Sequence, residues 1–179
     1  MKTGVKNFIL ILIGITLVIF DQFTKILAQN KLQGKNPFVI IKGVFEFHYL
    51  EGGNTGAAWG ILSGQIAFFV IISVIVSIAI VLLIIRLDAL IREGLLNPKV
   101  YYLFEILLIL LISGAVGNML DRIIHGYVID FLYFKLINFP IFNVADCYVT
   151  VSCILLIIMS IFFIKDEEFS MIFSSKKEQ

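Results

Sequence analysis

Charge is scarce in this chain. Of its 179 residues 15% are charged and 60% are hydrophobic, against roughly 25% and 45–50% in soluble domains. A chain this short cannot hide that much apolar surface from water, and its mean hydropathy of +1.01 agrees. A soluble globule and an intrinsically disordered chain are both excluded. Neither sign of charge dominates: 14 Lys+Arg face 13 Asp+Glu, so no basic field exists to hold a nucleic acid. The two cysteines, Cys147 and Cys153, lie in one apolar run and make no disulfide framework. The two histidines, His48 and His125, are too few for a His-rich metal site.

Several catalytic motifs are missing as well. Gly52–Gly60 is glycine-rich, but no Gly-Lys-Ser/Thr follows, so it is not a P-loop. His-Glu-x-x-His, Gly-x-Ser-x-Gly and Gly-x-Gly-Asp do not occur, and Ser113 has no lysine within helical reach. Zinc peptidase, serine hydrolase, Ser/Lys peptidase and presenilin-like chemistry are disfavoured accordingly. No metal and no cofactor is expected.

What is present is four apolar spans, at about 7–27, 66–85, 100–120 and 145–164. Backbone groups cannot stay unpaired in lipid, so the spans are expected to be helices. In the first, the uncharged core Phe8–Phe20 is 13 residues long, whereas crossing takes about 20. That helix must therefore run past Asp21 and Lys25. Lys2 and Lys6 ahead of an apolar run imitate a signal peptide, but no small-x-small cleavage site follows, and the span reads as an uncleaved anchor. The whole of 1–179 reads as one integral membrane domain: all-α, with a small extracytoplasmic β-sheet. The polar tail, 166–179, is expected to be mobile.

Even span number puts both termini on one side. The termini and the 86–100 loop carry Lys2, Lys6, Arg86, Arg92, Lys99, Lys165, Lys176 and Lys177, while the longer 21–65 and 121–141 segments carry Lys25, Lys31, Lys35, Lys42, Arg122 and Lys135. The density bias places both termini in the cytoplasm. In the external loop 28–65, Phe45, Phe47 and Tyr49 alternate with Glu46, His48 and Leu50, a period-2 strand signal. Phe38–Ile41 can pair with that strand across Lys42-Gly43, giving a sheet whose aromatic face suits the headgroup region.

An acid within a span is a functional hypothesis in its own right, because Asp at mid-bilayer costs roughly 2.5–3.5 kcal/mol. Asp21, Asp121, Asp130 and Asp146 are expected at the outer ends of helices or in the second external loop; Glu105 alone falls toward the inner side. Asp130 and Asp146 stand sixteen residues apart with Pro140 between them, enough chain to leave the surface and return. Two carboxylates brought together share a proton. One can then act as base on water while the other donates to a carbonyl oxygen or leaving amine. Plainer readings stand beside this one. Asn143 and Asp146 are spaced as a helix N-cap and its N3 partner. Asp130 can face water, Asp121–Arg122 can be a structural ion pair, and Asp21–Lys25 is the favoured i,i+4 pair. His48 reads as a surface residue, and Glu105 as pairing with a base or reaching the interface. A rival function, a small transporter or proton relay, needs acids staggered through the depth, and the middles of the second and fourth spans have none. A purely structural subunit predicts no inward cluster of Asn, Asp and Arg.

Taken together, Asp21-Gln-Phe-Thr-Lys25, Asn54-Thr-Gly-Ala-Ala-Trp59, Gly117-Asn-Met-Leu-Asp-Arg122, Val128-Ile-Asp-Phe131 and Phe142-Asn-Val-Ala-Asp146 resemble, in order, the motifs of the lipoprotein signal peptidases (signal peptidase II), over about residues 8–164. The resemblance implies an aspartic endopeptidase of the bacterial inner or plasma membrane. Such an enzyme removes the signal peptide of a diacylglyceryl-modified prolipoprotein just before the lipidated cysteine. It implies a dyad of Asp130 and Asp146, and substrate contacts at Asn54, Gly56, Asn118, Arg122 and Asn143. Asp21, Lys25 and Asp121 take supporting roles. Prolipoproteins, membrane lipids and globomycin-type inhibitors are the expected partners.

Overall fold

The computed structural model describes residues 3–56 and 61–173. Lys2, Lys176, Lys177 and residues 57–60, which include part of the Asn54–Trp59 motif, lie outside them. Four helices are long and apolar enough to cross a membrane: α1 (Thr3–Leu32), α2 (Ile66–Arg92), α3 (Pro98–His125) and α4 (Val144–Phe162). The first three outrun the expected spans. Helix α1 continues past Asp21 and Lys25, as its short apolar core requires, and it carries this polar end inside the bundle, where Asp21, Lys25 and Ala28 are buried. Helix ends are set locally. Asn97 caps α3 by accepting from Lys99 N, with Pro98 in the first turn, and Gly126 (φ 78°) ends it in the left-handed region that favours glycine.

Helix α3 is central and packs on α1, α2 and α4. Small residues allow the approach: a Cβ on Gly114 would stand 2.5 Å from Ala145 O, the close backbone contact typical of membrane helices. Apolar side chains such as Ile71, Leu82 and Ile157 are exposed and have lipid as their natural solvent.

The sheet has three antiparallel strands in the order β1 (Phe38–Ile41), β2 (Phe45–Phe47), β3 (Leu132–Phe134). Phe38 pairs with Phe47 and Val39 with Glu46, as the alternation predicts. The third strand, β3, pairs Phe45 with Phe134 and Phe47 with Leu132, and was not expected. Beyond β2 the chain stays alongside 128–131: Leu50 N donates to Asp130 O, and Asn54 and Val128 exchange backbone bonds. The sheet thus holds the Asp130 segment in place. The sheet's aromatics touch one another, Phe38 stacked on Phe47 and Phe45 tilted against Phe134, and are partly exposed, while Glu46 is buried and bonded to Lys135.

Within the segment expected to be a mobile tail, Asp166–Phe173 forms a helix, α5. Its Ile172 is buried with Leu87, Leu90 and Tyr101, and Arg86 donates to the carbonyls of Met171 and Ile172. These contacts offset the chain entropy that polar composition alone leaves uncompensated. At the same end of the bundle, Glu105 is fully buried and bonded to Lys6, which also pairs with Asp88 at 2.5 Å.

Candidate active site

Each polar group of the site is delivered by a rigid element. Asn118, Asp121 and Arg122 lie on α3 at i, i+3 and i+4, and Asp21, Gln22 and Lys25 occupy about one turn of α1. Asn143 caps α4 in a full capping box with Asp146: Asp146 N donates to Asn143 Oδ1 at 3.0 Å, and Asn143 N donates to Asp146 Oδ2 at 3.0 Å. Asp146 is therefore a capping residue, and it also lines the cavity described below; the cap holds its rotamer.

Asp130 is 1% exposed, so it does not face bulk water. Its Oδ1 accepts from Asn143 Nδ2 at 2.7 Å and its Oδ2 from Asn54 Nδ2 at 2.9 Å. Asp146 Oδ1 accepts from Asn118 Nδ2 at 2.7 Å. Asn143, itself fully buried, thus bridges the two carboxylates through its backbone and its side chain. Burial raises the Asp130 carboxyl well above the ordinary range, and the neighbouring Asp146 raises it further; the bonds from Asn54 and Asn143 oppose part of that rise.

Both carboxylates border one cavity of about 660 Å³, with Asn54, Gly56, Asn118 and Arg122 on its polar side. Its other wall is apolar: Phe134, Ile137, Phe139, Pro140, Ile141 and Phe142 from β3 and the segment leading to α4, with Val149 and Val151 of α4. That size and mix suit a ligand with a large apolar part and a polar part fixed by a few groups. Among the described residues, no three His, Cys, Asp or Glu side chains converge as a metal site.

The ion pair considered for Asp121 and Arg122 does not form. Consecutive helix residues point in different directions, and these two serve different neighbours. Asp121 turns to α1, where Lys25 Nζ is 3.0 Å away. Arg122 donates to Gly56 O at 2.8 Å and lies 4.6 Å from the Phe69 ring centroid. It also donates to Asn118 O at 3.3 Å, and among the described residues no carboxylate lies within 4.0 Å of it. The Asp21–Lys25 pair forms at 2.9 Å, both residues being buried. The site residues singled out in the sequence all meet at this end of the bundle.

Sequence reasoning passed over Gln22 and the apolar wall. Gln22 Nε2 donates to Asp121 Oδ1 at 2.9 Å, to Gly117 O at 3.1 Å and to Asp21 Oδ2 at 3.2 Å. Its place inside the Asp21–Lys25 motif was the available signal. Gly117 leaves the room this junction needs: a Cβ there would stand 2.5 Å from Asp21 Oδ2 and 3.3 Å from Ala145 Cβ. Gly117→Ala is expected to cost about 1–3 kcal/mol of stability through overpacking, read as a lower Tm in detergent. A Cβ on Gly4 meets nothing within 4 Å, and Gly4→Ala, in the first turn of α1, should not lower Tm.

Known proteins match most of this chain. Residues 13–162 match the family model described as signal peptidase (SPase) II. Lipoprotein signal peptidases of Staphylococcus aureus strains RF122 / ET3-1 and JH9 are 40% and 41% identical over 154 residues, covering 83% of this chain and 85% of theirs. Two solved structures, described as bacterial membrane enzymes determined by the in meso method at 2.3 and 1.9 Å, are each 34% identical and cover 92% of this chain. They superpose with TM-scores of 0.70 and 0.67, over 94% and 96% of their own lengths. With the family model reaching all four helices and the same fold found in solved membrane enzymes, this multi-pass membrane protein belongs to the signal peptidase II family of peptidases.

Proposed function

We propose that the chain removes signal peptides from diacylglyceryl-modified prolipoproteins, cutting just before the lipidated cysteine, by aspartic hydrolysis at Asp130 and Asp146. The observation that carries this reading is two carboxylates on one cavity, Asp130 buried and Asp146 half-buried, bridged by Asn143. In the singly protonated pair, the ionised member takes a proton from water, whose oxygen attacks the scissile carbonyl carbon. The protonated member donates to the carbonyl oxygen. Collapse of the tetrahedral intermediate breaks the C–N bond as a proton passes to the leaving amine, the new N-terminus of the lipidated cysteine.

An extended substrate backbone has its own hydrogen bonds unmade and needs partners. Asn54, Gly56, Asn118 and Arg122 line the cavity and supply them, and the apolar wall takes the hydrophobic part of the substrate. Asn143, expected as a further substrate contact, is fully buried behind the cavity and holds the two carboxylates instead. Lipid anchor and signal helix both reach the cavity laterally through the bilayer. Globomycin-type inhibitors are expected to compete for this cavity. A proton relay is the weaker reading: Glu105 and Asn118 are thirteen residues apart on α3, about 20 Å, and between them Ser113 bonds to its own helix at Ile109 O.

The test is cleavage of a lipidated prolipoprotein peptide by the purified protein, unaffected by metal chelators and by serine- or thiol-directed reagents. Inhibition by a chelator would overturn the aspartic mechanism. Orientation has its own check, in a background with Cys147 and Cys153 replaced. Lys35→Cys should react with a membrane-impermeant thiol reagent from outside the cell and Arg92→Cys should not. Reversed labelling would put the cavity on the cytoplasmic side, where exported lipoproteins are not processed.

A further inference from the structure

Lys25 does more than pair with Asp21. It is 1% exposed, and an ammonium has three N–H bonds to place. Three acceptors surround it: Asp21 Oδ2 at 2.9 Å, Asp121 Oδ2 at 3.0 Å and Asn118 Oδ1 at 2.9 Å. Each leads to the candidate dyad. Asp21 Oδ1 accepts from the backbone N of Ala145 at 2.9 Å, one residue ahead of Asp146. Asp121 Oδ2 accepts from the backbone N of Ile129 at 3.0 Å, one residue ahead of Asp130. Asn118 Nδ2 donates to Asp146 Oδ1.

The Asn118 contact carries orientation as well as attachment. Its Oδ1 accepts from both Lys25 Nζ and Asn143 Nδ2. A flipped amide would set its NH2 against those donors and its oxygen against the Asp146 carboxylate. The ammonium therefore holds the amide in the one orientation that gives Asp146 a donor. Stability alone is a poor account of such a buried cluster, because apolar replacements of buried ion pairs often match them.

We propose that Lys25 is a positioning residue for the reaction: its ammonium sets the separation of the Asp130 and Asp146 segments through Asp121 and Asp21, and the orientation of Asn118 toward Asp146. The role rests on the aspartic reading above.

Lys25→Met alone leaves two buried carboxylates without a cation. The informative comparison is therefore Asp21→Asn against Asp21→Asn with Lys25→Met. The double variant keeps the wild-type net charge of the cluster, one negative, and the introduced asparagine retains an oxygen for the backbone N of Ala145. With purified proteins and a lipidated prolipoprotein peptide, the double variant should show a kcat lower than Asp21→Asn by roughly 100-fold, the scale of a misplacement near 1 Å. KM should stay within about threefold, because the groups facing the cavity are retained. Equal kcat in the two variants would overturn the proposal. Accumulation of Asp21→Asn but not of the double variant would also overturn it, since Lys25 would then hold the fold and not the dyad. Asp130→Asn and Asp146→Asn are assayed beside them. Cutting by either brings down the aspartic reading itself, and the positioning role with it. Inactive Asp→Asn proteins at the dyad beside an unimpaired double variant bring down only the role of Lys25.

Discussion

Asp130→Asn and Asp146→Asn should each reduce kcat by roughly 10³-fold or more, in the upper range for loss of a positioned acid or base. Both proteins should still accumulate in the membrane. Asparagine keeps the size of aspartate and one acceptor oxygen but cannot carry the transferable proton. The structural cost is confined to one contact at each position. Both Asp130 oxygens accept from amide donors, Asn143 and Asn54, and both Asp146 oxygens accept from N–H groups, of Asn118 and Asn143. The new NH2 therefore faces one donor and loses one bond, on the order of 1–3 kcal/mol. Removing a buried negative charge beside another acts in the opposite direction. Loss should appear in kcat with Tm nearly kept, measured on purified protein with a lipidated prolipoprotein peptide. Wild-type turnover in either variant, at equal expression, would end the dyad assignment. Loss of turnover with collapse of Tm at Asp146 alone would instead assign that residue to capping α4.

Local order was legible in the sequence wherever both partners of an interaction lie close along the chain. Asn143 and Asp146 are three residues apart, and they form the capping box that their spacing suggests. Asp21 and Lys25 are four apart and pair. Phe38–Ile41 and Phe45–Phe47 flank a turn and form the first two strands. What was not legible depends on distant chain. Strand β3, Leu132–Phe134, lies 85 residues or more beyond its partner β2 and exists because β2 offers an edge. Asp121 chooses Lys25 over its neighbour Arg122 because helix geometry aims the two side chains at different elements. The buried Lys6–Asp88–Glu105 cluster joins residues 82 and 99 positions apart. Helix α5 looked like tail because its stabilising partners, Arg86 and Leu87, belong to α2. In each case the missing information is which surface a helix turns toward its neighbours, and that is a property of the assembled bundle.

Activity should follow a bell in pH, with its alkaline limb well above the ordinary carboxylate range. Two carboxylates on one cavity titrate as a coupled pair, with macroscopic pKa values that belong to the pair. The first deprotonation leaves a negative charge that makes the second harder. At low pH both acids are protonated and no base is available for water. At high pH both are ionised and no acid remains for the carbonyl oxygen, so the singly protonated pair is the working form. The sign for Asp130 follows from its surroundings. Burial, and then Asp146, push its carboxyl up, so its proton survives to a pH at which an exposed aspartate has lost it. Raising a folded-state pKa moves the alkaline limb upward, toward neutrality. Arg122 tests the same electrostatics from the other direction. Its guanidinium lines the cavity that both carboxylates border, and a positive charge there favours their ionised forms. Arg122→Gln removes that charge and should shift the alkaline limb to higher pH, along with any loss of substrate binding that appears in KM. Profiles are taken at saturating substrate, with the protein shown intact at each pH. A monotonic rise of wild-type activity to high pH would mean that one base works without an acid partner, and the shared-proton mechanism would have to be abandoned.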